Sequence, residues 1–262
     1  MSIKAYDRVK TARDAKRPTG MDYIRGIFTD FFELHGDRRY GDDPAIVGGV
    51  AYLDGRPVTM IAIEKGHTTR ERTARAFGAP HPEGYRKALR LMRQAEKFRR
   101  PVICFIDTSG ANCGIEAEER GQGQAIAENL MELSTLCVPV ISILVGEGGS
   151  GGALALAVAD RVWMLSNAVY SVISPEGCAS ILWKDAKKAE EAAASLKLTS
   201  EDAKNLGVVE RIVSEKDLGE KPFYDRLRED ISKELEELTH DPDLVAKRYD
   251  RVRRIGEIKE TV

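Results

Sequence analysis

The sequence has no pair of cysteines spaced C-x-x-C; Cys104, Cys113, Cys137 and Cys178 stand apart. That spacing excludes a self-contained zinc ribbon, and four scattered thiols do not make a disulfide framework. The four histidines, His35, His67, His81 and His240, show no H-x-x-x-H spacing, so no metal site is expected. No long hydrophobic run exists either. The longest apolar stretch, residues 153–159, stops at Asp160, far short of the roughly 20 residues that cross a bilayer. Neither sign of charge dominates: 40 Lys and Arg against 42 Asp and Glu leave −2 over 262 residues. No general field therefore favours nucleic acid. Met1-Ser2-Ile3-Lys4-Ala5 leads into a charged segment, not an apolar signal core. The expectation is a soluble, cytoplasmic protein without membrane or nucleic-acid partners.

What is present is an alternation of strand and helix signals. Residues 1–20 form a charged lead-in that ends in Arg17-Pro18-Thr19-Gly20. Asp22 is placed to cap a helix carrying Ile24, Ile27, Phe28, Phe31 and Phe32 on one face. Apolar runs at 46–53 and 57–63 flank Asp54-Gly55, a strong hairpin signal. Residues 64–84 carry no apolar period and read as a long surface loop of the kind that bears function. A helix over 85–99 would bury Ala88, Leu89, Met92, Ala95 and Phe98. A buried strand at 102–106, a turn-rich loop at 107–114 and a helix over 117–136 follow. The module then repeats as a strand at 138–145, a glycine loop at 146–152 and a helix from 153. After short strands at 161–165 and 169–173, the charged helical stretch 223–255 reads as a solvated or partner-facing surface. No composition break marks a second core, so the chain is one domain of alternating strands and helices.

The segment Gly146-Glu147-Gly148-Gly149-Ser150-Gly151-Gly152 matches G-x-G-x-x-G through Gly146, Gly148 and Gly151, the dinucleotide fingerprint. Its context does not match. The acidic residue needed about 20 positions on falls at Ser166-Asn167, and the strand comes late in the chain. The physics of the loop survives the loss of the motif. Consecutive glycines let the backbone turn sharply and approach a ligand without Cβ interference. N–H groups at a helix start converge on an anion, or on an oxygen that becomes negative during reaction. Tight helix–strand packing is the alternative use of such glycines. Thr108-Ser109-Gly110-Ala111 follows the preceding strand of the repeated module. If the two strands are neighbours, both loops emerge at one end of the sheet and form an oxyanion hole.

Longer blocks carry a resemblance. Phe31-Phe32-Glu33-Leu34-His35-Gly36-Asp37-Arg38, Pro82-Glu83-Gly84-Tyr85-Arg86-Lys87-Ala88, Ala117-Glu118-Glu119-Arg120-Gly121-Gln122, residues 146–153 and Tyr170-Ser171-Val172-Ile173-Ser174-Pro175-Glu176-Gly177 resemble one family. It is the carboxyltransferase α subunit of bacterial acetyl-CoA carboxylase. The resemblance implies a crotonase-like α/β fold of repeated ββα units with added helices at both ends. It implies a lead-in at 1–20, a carboxyltransferase domain at 21–215 and a C-terminal helical extension at 216–262. The implied reaction moves a carboxyl group from carboxybiotin, delivered on a biotin carboxyl carrier protein, to acetyl-CoA. The product is malonyl-CoA, the first committed intermediate of fatty acid synthesis. Biotin carboxylase would load the carrier. A β subunit would complete an α2β2 tetramer, holding the zinc and most of the acetyl-CoA site, so this chain would bind no cofactor tightly. A site built between two crotonase units also explains why one unit of this length needs a partner. By the same resemblance Gly110 and Ala111, with Gly149, Ser150, Gly151 and Gly152, would hold the biotin ureido oxygen as it gains negative charge. Lys65 and Arg72, in the basic stretch with Arg70 and Arg75, read either as part of a solvated face or, beside an acyl-CoA enzyme's site, as residues that meet biotin or coenzyme A.

The chain departs from the family pattern in places. Ser109, Asn112 and Cys113 replace two prolines and a tyrosine of the first loop, Glu64 replaces a common glutamine, and residues 216–223 replace a Pro-Leu-Gly-Gly-Ala-His block. Cys113 has no accompanying His signature of a thiol nucleophile. Hydratases of the same fold place a Glu where Ala153-Leu154 stands, so Glu176 has no carboxylate partner to activate water. It reads as a structural residue. A stand-alone hydratase or isomerase, a dinucleotide-binding domain and a non-catalytic homologue that only binds the β subunit are the competing readings.

Overall fold

The apolar runs become a mixed eight-stranded sheet in the computed structural model, which describes residues 4–257. Strands β1 (Thr29–Glu33), β2 (Ile46–Leu53) and β3 (Arg56–Ile63) pair antiparallel. Asp54 and Gly55, at φ 48° and 80°, make the β2–β3 turn that the Asp-Gly pair predicts. Strands β4 (Val102–Thr108), β5 (Val140–Gly149) and β6 (Arg161–Leu165) continue the sheet in parallel. The short β7 (Val169–Ser171) pairs with the far end of β5, and β8 (Arg211–Val213) closes the sheet beside β6. β4 is buried along its whole length, which is why it reads as a continuous apolar run without alternation.

Helices cover the sheet and cap its ends. In the N-terminal half these are α1 (Ala5–Ala12), α2 (Gly20–Ile27), α3 (Thr69–Ala74) and α4 (Pro82–Lys97). Next come α5 (Ile115–Glu119), α6 (Gln122–Thr135), α7 (Ser150–Leu154) and α8 (Pro175–Trp183). The C-terminal part holds α9 (Ala189–Ser195), α10 (Ser200–Asn205), α11 (Lys221–Thr239) and α12 (Leu244–Arg253).

Several boundaries differ from the sequence reading, each for a physical reason. Thr19 caps α2 and Asp22 closes the capping box from inside the helix; Phe31 and Phe32 lie on β1, beyond the helix end. The stretch 64–84 is not all loop, because Thr68 and Glu71 cap α3 reciprocally, a T-x-x-E signature present in the sequence. The helix expected over 117–136 breaks into α5 and α6 at Gly121, where φ is 83°. Gly146 to Gly149 are strand, and the helix after them opens at Ser150 and stops at Leu154. The charged helix α11 is not a solvated surface. Phe223, Leu227, Ile231 and Leu235 form a buried stripe in the main core, leaving its charges for the outer face. Likewise α1, inside the charged lead-in, packs Val9 and Ala12 against Val169, Ala193 and Leu198.

Candidate active site

Parallel pairing of β4 with β5 brings their C-terminal ends together, with Thr108 opposite Gly148. From there the chain leaves β4 through residues 109–114 and leaves β5 directly into α7. The two exits touch backbone to backbone. A Cβ on Gly149 would collide with the Ser109 carbonyl and lie 2.8 Å from Gly110 N. One on Gly152 would lie 2.5 Å from Ala111 N and 2.9 Å from the Gly110 carbonyl carbon. Neither neighbour is a side-chain tip that could swing away, so these two positions require glycine. Gly151 is different: a Cβ there meets nothing nearer than Ile126 at 3.6 Å.

The donors can be assigned one by one. The Thr108 hydroxyl donates to Gly110 O at 2.8 Å and accepts the Gly110 N–H at 3.0 Å, stapling the loop upon itself. Gly110 N–H is thereby committed. The Asn112 N–H goes to Pro80 O, and Gln122 Nε2 donates to Pro80 O at 2.7 Å and Asn112 O at 3.0 Å. Between these anchors the Ala111 N–H has no acceptor among the described residues. It sits against the opening turn of α7, where N–H groups lack partners within their own helix. With five residues α7 carries little macrodipole, so its donors act as individual hydrogen bonds. Beneath them the buried Tyr85 hydroxyl donates to Gly152 O at 3.2 Å. Burial, with Asp43 nearby, pushes the Tyr85 pKa up and keeps that donor protonated.

A polar cleft of about 230 Å³ opens beside Ser109, and both Lys65 and Arg72 line it. Their circumstances differ. Lys65 Nζ lies 2.5 Å from Asp107 Oδ1 and 3.7 Å from Glu147 Oε2, so its charge is answered. Arg72 donates from Nε to Gly66 O at 3.1 Å and from Nη2 to Ala15 O at 3.3 Å, carbonyls that leave its charge standing. Arg13, just after α1, bonds Glu147 and Glu176, each at 2.8 Å. Burial alone would raise the Glu176 carboxyl, but the Arg13 hydrogen bond and the Tyr6 hydroxyl outweigh it and lower its pKa. Glu176 therefore anchors the N-terminal helix to the rim of the site. The third wall holds a left-handed turn: Ala76, Phe77 and Gly78 have φ of 47°, 55° and 76°. Each non-glycine residue there costs roughly 1–2 kcal/mol. Among the described residues no group of three or more His, Cys, Asp and Glu is placed to hold a metal.

The structure thus brings Gly110, Ala111, Gly149, Ser150, Gly151 and Gly152 to one place, with Lys65 and Arg72 in the adjoining cleft. Sequence reasoning gave no role to Tyr85, Gln122, Arg13 or Phe77, and named Thr108 only as the start of the first loop. Gln122 and Tyr85 lie inside quoted blocks, and buried polar groups on otherwise apolar helix faces were their available signal. Nothing in the sequence except Gly78 announces the left-handed turn.

The C-terminal ends of the parallel strands β4 and β5, meeting backbone to backbone, match the crotonase-like α/β fold that the resemblance implies. Solved structures share the fold. A Pseudomonas malonate decarboxylase hetero-tetramer in complex with coenzyme A matches at TM-score 0.72 and 21% identity, over 90% of this chain and 98% of that one. Transcarboxylase 12S matches at TM-score 0.69 and 21% identity, over 84% of this chain and 42% of that one. The family model of acetyl co-enzyme A carboxylase carboxyltransferase-like proteins matches residues 1–256. A relative from Ruminiclostridium cellulolyticum, the acetyl-coenzyme A carboxylase carboxyl transferase subunit alpha, is 58% identical over 98% of this chain and 100% of its own. In Clostridium tetani a protein named for subunits beta/alpha is 55% identical over 98% of this chain and 46% of its own. The chain belongs to the acetyl co-enzyme A carboxylase carboxyltransferase family.

Proposed function

We propose that this chain is the α subunit of the carboxyltransferase of acetyl-CoA carboxylase, moving a carboxyl group from carboxybiotin to acetyl-CoA to form malonyl-CoA. The observation that carries the mechanism is the contact between the two strand exits. The Ala111 nitrogen, whose N–H has no acceptor among the described residues, lies against the opening turn of α7, with Gly149 and Gly152 where no larger residue fits. Carboxybiotin is a substrate here, brought by a carrier protein. When its carboxyl group leaves, charge develops on the ureido oxygen, and fixed N–H donors lower the energy of that state. One such donor is worth about 2.7–4 kcal/mol. In this reading Ala111, Gly151 and Gly152 donate, Gly110 and Ser150 shape the two turns, and Gly149 permits their approach. Thr108, Tyr85 and Gln122 hold the donors in place before the substrate arrives. Lys65 supports the site through Asp107, whose Oδ1 also accepts the Glu147 N–H at 2.8 Å.

The partner in this reading is a β subunit that carries the zinc and most of the acetyl-CoA site, in an α2β2 tetramer in the cytoplasm. Large apolar side chains left in solvent on and before α8 support a partner surface. Val172, Ile181 and Leu182 are 78%, 61% and 64% exposed. The Clostridium tetani relative, named for both subunits in one chain, supports the same pairing. The test mixes this chain with a β subunit and follows malonyl-CoA decarboxylation in the presence of biocytin. Turnover that needs both chains is expected. A complex that forms normally and does not turn over would defeat the reading.

A further inference from the structure

Phe77 occupies a place that stability alone does not favour. Among the described residues the turn that carries it is the one stretch where two successive non-glycine residues, Ala76 and Phe77, hold positive φ, at 47° and 55°. Such a conformation persists where its surroundings impose it, and it recurs at ligand-binding sites. Here the surroundings are identifiable. Gly78 is pressed against Lys65 and the end of β4, with its Cβ position 2.5 Å from Lys65 Cγ and 3.2 Å from Asp107 O. Arg75 Nη1 donates to Pro44 O at 2.5 Å, and Gly78 N–H donates to Arg75 O at 2.9 Å. The turn does not bury its aromatic ring. It leaves Phe77 58% exposed in the wall of the 230 Å³ cleft, whose other lining is mostly polar.

Arg72 lies in the same cleft. Of the cations there, Arg13, Arg17 and Lys65 are paired with Glu147, Glu215 and Asp107, while Arg72 bonds only carbonyl oxygens among the described residues. An exposed aromatic face beside an unanswered guanidinium fits a ring that carries an anionic group. Ser109, which begins the donor loop two residues before Ala111, lines the cleft too, so the cleft adjoins that loop.

We propose that Phe77 and Arg72 determine specificity for the carboxylated ring of biotin, Phe77 packing on the bicycle and Arg72 holding the carboxylate. The proposal rests on the carboxyltransferase reading. The adenine and phosphates of coenzyme A share the chemistry of ring plus anion, and steady-state kinetics separate the two sources. In the reaction used, the carboxyl group leaves malonyl-CoA for the biocytin ureido nitrogen, and the proton from that nitrogen ends on the acetyl methyl carbon.

The experiment uses this chain in complex with its β subunit. Phe77→Gly relaxes the turn and removes the ring. It is expected to keep or raise the melting temperature while raising KM for biocytin about tenfold, with KM for malonyl-CoA unchanged. Phe77→Leu, which keeps the turn, moves the biocytin KM in the same direction. The ureido ring of biocytin carries no carboxylate until transfer, so Arg72→Gln lowers kcat about tenfold and leaves both KM values in place, with partial rescue by Arg72→Lys. A rise confined to the malonyl-CoA KM assigns the cleft to coenzyme A and overturns the proposal; unchanged kinetics overturn it too. In both cases an active wild-type complex leaves the carboxyltransferase reading standing. An inactive wild-type complex removes that reading, and the proposal falls with it.

Discussion

The two ends of the parallel strands β4, β5 and β6 satisfy their polar groups in opposite ways. Where the strands begin, Arg248 of α12 is 1% exposed, and all five of its N–H groups are used. It donates to Asp160 Oδ1 at 2.9 Å and Oδ2 at 2.7 Å, and to the carbonyls of Leu133, Leu136 and Val138. Asp160 also accepts the Val140 N–H at 2.8 Å, so one ion pair ties α6, β5, β6 and α12 together. Where the strands end, the Ala111 N–H has no acceptor among the described residues, and the close contacts are between backbones. A saturated end fixes the fold, and an unsaturated end keeps donors available for a substrate.

The saturated end gives the largest expected effect. Arg248→Ala strands Asp160 as a buried, uncompensated carboxylate and should cost about 3–5 kcal/mol of stability. Chemical denaturation of the isolated chain measures it. Asp160→Asn combined with Arg248→Met should lose much less, because no charge is then left without a partner. Equal losses in the single and double variants would show that packing, not charge, holds α12 in place.

At the other end the expected loss is in turnover. Gly152→Ala places a methyl carbon 2.5 Å from Ala111 N and must move one of the two strand exits. Turnover of the complex should fall about 10²–10³-fold, the range for losing an oxyanion donor. Overpacking of this kind also costs about 1–3 kcal/mol of stability, so turnover is compared where the variant complex is still folded. Unchanged turnover would mean that the contact is packing, and the contrast between the two ends would fail.

Residues differ in how visible they were before the structure. The strands, the Asp54-Gly55 hairpin and the glycine segment follow from period and turn chemistry, which are local. The convergence of 108–111 with 149–152 was an inference from the repeated module, and the register of β4 on β5 realises it. What escaped depends on long-range partners. Arg248 sits in a stretch of charged residues and gives no sign that one guanidinium will be buried. Gly110 looks like a donor until the Thr108 hydroxyl two residues away is seen to claim its N–H. The reach of β5 through Gly149 escaped because glycines weaken any strand signal, while pairing with β7 supplies it from outside.

Asp37 tests whether the site end is itself braced by a saturated network. Its Oδ1 accepts N–H groups from Arg39, Tyr40 and Gly41, and its Oδ2 accepts Arg86 Nε at 2.7 Å. Arg86 passes this support on to Arg120 O at 2.9 Å, where the chain turns into α6. Burial alone would raise the carboxyl; these hydrogen bonds outweigh it and hold the pKa at about 2, below the ordinary 3.8. A depressed carboxylate stabilises fully above its unfolded value and loses that contribution as pH falls through the folded one. Asp37→Asn should therefore cost on the order of 1–2 kcal/mol at neutral pH. The gap from the unsubstituted chain should close between pH 3.8 and about 2 in acid denaturation curves. A gap independent of pH would assign Asp37 a shape role and remove charge from this brace.

The smallest effect is expected three positions from the strand contact at Gly148, and it separates space from donors. At Gly151 an added Cβ meets Ile126 at 3.6 Å, an ordinary contact, and the N–H stays in place. Gly151→Ala should leave turnover within about threefold and add up to roughly 1 kcal/mol of stability, as expected for Ala over Gly in a helix. Gly151→Pro keeps similar bulk but deletes the N–H, and it should lose turnover where Gly151→Ala does not. If both variants remain active, the donors reduce to Ala111 and Gly152, and the unsaturated end narrows to those two. Should Gly151→Ala already abolish turnover, substrate must press on that face, and Gly151 would then resemble Gly152, with the open space above it serving as the ureido pocket.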